Sequence, residues 1–460
     1  LQKIASVRPD VNQGDDDMPM FYRERGLFEL YADDPERADA LVFERRTGAT
    51  RRGFLSGSGL ATMTAMIGAP IAMAELMPGG LIPAAFAQTA KEPKLLKMDG
   101  KAELVVLGDR PLVAETPAWM LDDDVTPTEK FYIRNNGTPP EAAKDPDAWE
   151  IVIDGEVTKP LKITVGELNK KFKKVSYVLQ LECGGNGRSA FEPPARGNQW
   201  TNGGVGCARW GGVALGDVLK AAGLKPSAKY TAHYGADVHL SGNPDTPTLS
   251  RGVRLAKAMD QYTLIAFEMN GKPIPNIHGG PVRLIVPGWA GSASHKWLKR
   301  VWIRDKVHDG PGMKAPAYST PTVPGVPGDP KFDVSKMKIL ESMPVRSVIT
   351  NVKDGQKFPA QTRELALRGK AWAGDNNVTA VHVSADYGQT WTATQVSAPA
   401  NRYAWQKWAG KLKLANPGYY ELWVRATDSS GKSQAMAAPF WNPQGYGANV
   451  IQRVRVLVEA

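Results

Sequence analysis

Apolar and polar residues alternate along Tyr177-Val178-Leu179-Gln180-Leu181-Glu182-Cys183, and the run then meets Gly184-Gly185. Period-two alternation ending on paired glycines predicts a strand that delivers Cys183 into a tight turn. Leu215 to Leu224 (LGDVLKAAGL) instead has helical spacing with a glycine stop. Val282 to Pro287 (VRLIVP) reads as a short buried strand. Residues 317–330 (AYSTPTVPGVPGDP) are proline-rich and without period, which predicts a linker or a loop draped over the surface.

Beyond that stretch the pattern changes. Val378 to Ser384, Tyr419 to Ala426 and Val450 to Val458 read as strands, and Asp386-Tyr387-Gly388 as a hairpin-like turn before Trp391. Several short strands in the last part of the chain predict an antiparallel sandwich resembling the immunoglobulin fold. The fold class expected is therefore α+β, a mixed α/β domain followed by an all-β sandwich. The expected bounds are 1–87 for a leader, 88–330 for the first domain and 331–460 for the second.

The leader carries its own signal. Thr50-Arg51-Arg52-Gly53-Phe54-Leu55 places twin arginines before Gly53 to Ala74, a stretch of 22 residues without a formal charge and only mildly hydrophobic, and Ala85-Phe86-Ala87 follows. This is the form of a twin-arginine export signal, with cleavage expected after Ala87, a periplasmic product and no membrane attachment after cleavage. An uncleaved membrane anchor is the alternative reading. Translation could start within the leader, at Met18 or Met20.

Composition narrows the chemistry. The chain has 460 residues and only two cysteines, so disulfides are not its main staple and a multi-cysteine metal site is excluded. The C-x-x-C-H haem motif is absent, so no haem is expected in this chain. The net charge is +10, but no Lys/Arg tract or nucleic-acid module accompanies it, which disfavours nucleic acid and favours anions or an acidic protein partner.

Four features bear on chemistry. Cys183, in LECGGNGRSAF, either pairs with Cys207 or serves as a thiolate metal ligand with Arg188 holding an anion nearby. Tyr132-Ile133-Arg134-Asn135-Asn136-Gly137 puts an arginine and two amides in one loop. Residues 270–300 crowd His278, Arg283, Ser294, His295 and Lys296 among glycines and prolines, a composition suited to a phosphate. No Walker or dinucleotide fingerprint is present, so a common nucleotide is not expected. No histidine pair among the six has the spacing of a zinc protease.

These residues resemble the sulfite oxidase family of molybdopterin enzymes across nearly all of 100–460. The family's cysteine motif C-A-G-N-R-R appears as CGGNGR at 183–188, and its R-N-H loop as Arg134-Asn135-Asn136. Its N-G-x-x-[IL]-P-x-x-H-G-x-P-V-R-x-x-V-P-G stretch runs from Asn270 to Gly288, and G-x-x-x-x-K-W-L from Gly291 to Leu298. VSADYGQTW at 383–391 and PFWNPQGYGAN at 439–449 resemble the family's dimerisation domain.

The resemblance implies a molybdopterin-binding first domain with molybdenum on Cys183, one per chain. Tyr132, Ile133, Arg134, Asn135, Asn136, His278, Arg283, Ser294, His295 and Lys296 would hold the pterin and its phosphate, with Asp237 a further contact. Arg134, Arg188, Trp200 and Tyr318 would line the pocket for an oxyanion. The resemblance is greatest to the sulfane dehydrogenase branch, which implies a sulfur carrier protein as substrate, a c-type cytochrome as electron acceptor and a homodimer through the second domain. A sulfite dehydrogenase acting on free sulfite is the alternative, and a non-catalytic binding protein on the same fold a third. Three departures stand out: Gly187 where relatives have arginine, Asn136 where they have histidine, and Gln406 at the place expected for a substrate-binding arginine of the second domain. Together they imply a more open, less cationic pocket.

Overall fold

The computed structural model describes residues 93–459 apart from 244, 330 and 439. The twin-arginine motif and the cleavage site after Ala87 lie outside the described residues. Among the described residues no helix is long and apolar enough to cross a membrane.

The alternating run predicted around Cys183 is a strand, Lys174–Glu182, with Cys183 just past its end. It pairs antiparallel with Val205–Ala214, which pairs in turn with Leu264–Met269; the latter also pairs with Lys272–Pro273 and Arg283–Ile285. A second five-stranded sheet runs in the order Leu161–Thr164, Glu150–Gly155, Leu298–Arg304, Tyr230–Gly235, Ser250–Arg254, with Leu298–Arg304 parallel to Glu150–Gly155. The helix Leu215–Ala222 buries Leu215, Val218, Leu219 and Ala222, the face its spacing predicts. Gly223, at φ 70°, ends it in the left-handed conformation that only glycine adopts without penalty. Helix Val165–Lys171 starts on a capping box of Thr164 and Glu167. One apolar core, including Ile151, Ile153, Leu219, Ile265, Leu284 and Val301, lies under these elements.

The proline-rich stretch differs from the loop expected. Ser319–Pro321 is a strand, paired antiparallel with Met337–Ile339. Prolines hide the period, and the partner strand supplies the order the local sequence lacks.

The C-terminal half is a two-sheet sandwich. One sheet runs Arg346–Ile349, Glu364–Trp372, Gln406–Lys413, Gln395–Val396; the other Gln356–Phe358, Gln452–Val458, Gly418–Asp428, Val378–Ser384, Thr392–Ala393. All pairs are antiparallel except Gln356–Phe358 with Gln452–Val458. Val378–Ser384 has the predicted ends, and the 386–388 turn uses Tyr387 and Gly388 at positive φ, 58° and 80°. Val381, Leu367, Leu422, Val424, Trp408 and Val456 fill the space between the sheets. The two halves pack directly on one another: Met343 N–H donates to Gly288 O at 2.9 Å, and Lys257 Nζ to Asp375 Oδ1 at 2.8 Å.

Candidate functional site

Beyond Glu182 the chain leaves the sheet in a turn that presents Cys183. Its N–H donates to Gly204 O (2.8 Å), and its carbonyl accepts from Asn186 N–H (2.9 Å). The Asn186 side chain ties the turn together, donating to Glu182 Oε1 (2.9 Å) and accepting from Gly204 N–H (3.0 Å). Cys183 and Cys207 are both free, so the disulfide reading fails. Cys207 is fully buried, and burial pushes its thiol up to about 12. It is an inert core residue.

A narrow cleft lies between the Arg134 loop and the 283–297 segment. It is lined by Arg134, Asn135, Asn136, Asp237, Arg283, Ser294, His295 and Lys296, all expected from sequence, and by Leu249, Ser292 and Trp297, which were not. Buried backbone carbonyls hold the cations in place. Arg283 Nη1 and Nη2 donate to His278 O and Ser294 O, both at 2.8 Å, and Lys296 Nζ donates to Ile277 O (2.7 Å) and Asn135 Oδ1 (2.5 Å). Burial lowers Lys296 well below the usual lysine range, with Arg283 adding to it, and lowers Arg283 to about 10. Burial also raises the Asp237 carboxyl. The cleft thus gathers basic side chains whose charged forms burial disfavours and a bound anion would favour.

Several of its polar atoms are buried and unpartnered: Asn135 Nδ2, Arg283 Nε, Ser292 Oγ and His295 Nδ1. Each such group costs about 1–3 kcal/mol unless a ligand meets it. His295 donates from Nε2 to Leu249 O (3.1 Å), and burial lowers its pKa to about 4. It is therefore neutral, with Nδ1 free to accept. Donors, an acceptor and cations in one cleft fit a pterin with its phosphate. Among the described residues no group of three His, Cys, Asp or Glu side chains could hold a metal ion. A metal on Cys183 would therefore take its other ligands from the organic group, as a dithiolene supplies them.

Other expected residues lie around this cleft. Tyr132 is buried beside Cys183, edge-on to Trp200 with ring centroids 5.9 Å apart. Trp200 is fully buried with Nε1 unpartnered. The Tyr318 hydroxyl donates to Asn136 Oδ1 at 3.2 Å, so the strand 319–321 brings this ring to the Arg134 loop. Arg188 donates to Gln444 O (2.8 Å) and Asn198 O (2.9 Å).

Three expectations need correction. Ile133 does not reach the cleft: its side chain packs with Leu96, Leu104 and Ala114, because strand alternation turns it away from Arg134. His278 stands behind the cleft rather than in it, edge-on to Phe131 and 3.0 Å from Lys101 Nζ. Gln406 does not reach the pocket at all. It is buried in the C-terminal sandwich, where Oε1 accepts from Val378 N–H (2.8 Å) and Nε2 donates to Val378 O and Ser397 O. The second half reaches the site through its 441–447 turn instead. Sequence reading also missed Lys101, half-buried beside His278 and lowered by burial to about 7, and Arg346, described below. Neither sits in a motif.

A cysteine packed against Tyr132 and Trp200, together with a cationic cleft of unpartnered polar atoms, fits a molybdopterin-binding oxidoreductase. Residues 136–311 match the oxidoreductase molybdopterin binding domain and residues 337–459 the Mo-co oxidoreductase dimerisation domain. The chain is 32% identical to sulfite oxidase of Gallus gallus over 361 residues, covering 74% of this chain and 75% of that protein. It is 32% identical to mitochondrial sulfite oxidase of Homo sapiens over 379 residues, 77% of this chain and 66% of that protein. It thus spans about two thirds to three quarters of these relatives. The solved structure of the sulfane dehydrogenase SoxCD from Paracoccus pantotrophus matches with a TM-score of 0.63 at 26% identity, over 83% of this chain and 95% of that one. The chain belongs to the sulfite oxidase family.

Proposed function

We propose that this protein is a periplasmic molybdenum dehydrogenase that oxidises sulfane sulfur held on the cysteine of a carrier protein and passes the electrons to a c-type cytochrome. The observation that carries this reading is the structural match along 95% of the chain solved as SoxCD. The pocket is consistent with it. Arg134 lines the cleft with Arg283 and Lys296, which hold backbone carbonyls; Arg188 is engaged by two backbone carbonyls as well, and the second half brings no arginine in its 441–447 turn. Cys183 would be the protein ligand of molybdenum. The bound metal would supply two-electron oxo transfer to sulfur. The chain's own residues do the rest: Arg283, Lys296 and His295 hold the pterin, Trp200 and Tyr132 close the pocket from water, and Tyr318 orients Asn136 beside Arg134.

In this reading the leader directs folded export and is cleaved after Ala87, residues 88–330 bind the cofactor, and residues 331–460, a sandwich of immunoglobulin type, join two copies into a dimer. Free sulfite as substrate is the second reading, favoured by the 32% identity to two sulfite oxidases. An anaerobic optical titration of molybdenum-loaded protein with sulfite separates them. Absence of reduction by sulfite, in protein that dithionite reduces, supports the carrier-bound substrate. Rapid reduction by sulfite refutes it in favour of the second reading.

A further inference from the structure

Both halves of the chain meet at the Cys183 loop. Gly447 N–H donates to Gly184 O at 2.9 Å, which seats the 441–447 turn against the Cys183 loop. From that turn Tyr446 stacks on Tyr318, with ring centroids 4.6 Å apart and 26° between planes. The Arg188 guanidinium lies 5.0 Å from the centre of the Tyr446 ring, and the Arg251 guanidinium 5.0 Å from that of Tyr318. The order of contact is cation, ring, ring, cation. Arg251 is itself pinned to Gly312 O (2.7 Å) and Leu340 O (3.0 Å), and Tyr318 is held at φ 44°. Tyr446 is therefore wedged between fixed neighbours.

Two of the three guanidinium nitrogens of Arg188 are committed. Nε and Nη1 serve Gln444 O and Asn198 O, and an aromatic ring occupies the approach to its guanidinium. Tyr446 packs on Tyr318, whose hydroxyl reaches Asn136 Oδ1 at 3.2 Å, so this phenol stands one ring away from the Arg134 loop. Burial keeps it protonated far above neutral pH.

We infer that Tyr446 is a specificity-determining residue: its ring engages Arg188 and makes that wall of the pocket an aromatic face suited to divalent sulfur on a carrier rather than to a small dianion. Divalent sulfur packs favourably on aromatic rings, whereas a dianion needs guanidinium donors that are not already taken. The inference rests on the proposed chemistry at Cys183, and it deepens the substrate reading by naming the residue that sets it.

The test measures binding of sulfate, an unreactive dianion, to the oxidised holoenzyme by calorimetry, alongside molybdenum content. Loss of the cation–π contact in Tyr446→Val should tighten sulfate binding ~10-fold. Tyr446→Phe, which keeps the ring, should stay within ~2-fold of the unaltered protein. If the valine variant does not fold, Tyr446→Leu carries the same test. A folded, fully loaded valine or leucine variant that binds sulfate no tighter overturns the inference, and so does equal tightening by phenylalanine. Reduction of the unaltered enzyme by free sulfite would end the sulfane reading while leaving this comparison standing, so the two failures are distinguishable.

Discussion

Arg346, on the first strand of the C-terminal sandwich, donates from Nη1 to the carbonyl of Asn186 at 3.0 Å, three residues past Cys183. The same nitrogen donates to Ala448 O (2.6 Å), Nη2 donates to Asn202 Oδ1 (2.7 Å), and Nε lies 3.4 Å from Glu182 Oε1. Trp372 Nε1, also from the sandwich, donates to the other Glu182 oxygen at 2.7 Å. The second half therefore holds the residue before Cys183 and the turn after it. It acts as a structural backing of the Cys183 loop as well as a second layer.

Removing Arg346 should be severe. Glu182 is completely buried, and burial already raises its carboxyl while Arg346 opposes that shift. Breaking a buried pair leaves an uncompensated charge, so Arg346→Met should lower unfolding free energy by about 3–5 kcal/mol. Urea denaturation checks this. Adding Glu182→Gln to that variant should return part of the loss, because the stranded charge goes with it.

The two cysteines should behave oppositely. Cys183→Ser should lower turnover more than ~100-fold, beyond the 10–100-fold typical of outer-shell partners of a metal, with bound molybdenum falling in parallel by elemental analysis. Cys207→Ala should retain both, because its thiol is sealed in the core and about 12 in pKa. A thiol reagent should leave Cys207 unmodified in native protein and titrate both cysteines only after unfolding.

Gln406→Arg should not open the enzyme to sulfite. The side chain is spent on Val378 and Ser397 inside the sandwich, so an arginine there strands a buried backbone N–H and buries a charge. A loss of roughly 2–4 kcal/mol in stability is expected, with sulfite kcat/KM unchanged in whatever fraction folds. A gain on sulfite would place this residue in the pocket after all.

The difference between Gln406 and Cys183 shows where sequence reading stops. Cys183 was legible because alternation, a double glycine and a spaced motif all act within a dozen residues. The same holds for the helix at 215–222 and the strand at 378–384. Gln406 was misplaced because it sits in a strand paired residue by residue with 364–371, and nothing near it in sequence reports which face it takes. Tyr318 lay in a stretch read as a linker, since its order comes from pairing with 337–339. Arg346 was invisible, and Tyr446, though inside the family-like 439–449 run, showed no role, for a stronger reason. Arg346 meets a carbonyl 160 positions away, and Arg188 a carbonyl 256 away.

Acid should weaken the fold through its buried histidines. His295 stays neutral in the folded protein down to about 4, because burial disfavours its charged form. Unfolded, it takes a proton near 6.5. Unfolding thus binds a proton between those values, and stability is lost as pH falls from 6.5 towards 4, by on the order of 3 kcal/mol for this group. His278 and His233 are shifted in the same direction by burial. Urea midpoints at pH 7 and pH 5 should show the decline, and His295→Gln should make it shallower. An equal decline in that variant would assign it to other groups.

Gly187 and Arg346 should prove coupled. The family motif carries arginine at the position of Gly187, whereas here the residue has φ 83° and an added Cβ would press on Arg346 Nη1 and stand 3.2 Å from Ala448 Cβ. A guanidinium from the second half fills the space that a side chain at 187 would need. Gly187→Arg alone should therefore be destabilising, from left-handed strain of roughly 1–2 kcal/mol and from the clash. Arg346→Gln in the same chain removes the clash while leaving the strain. The double variant should be more stable than the sum of the single losses implies, by about 0.5–3 kcal/mol. A urea double-mutant cycle measures that difference. Strict additivity would mean that the two positions do not share the space.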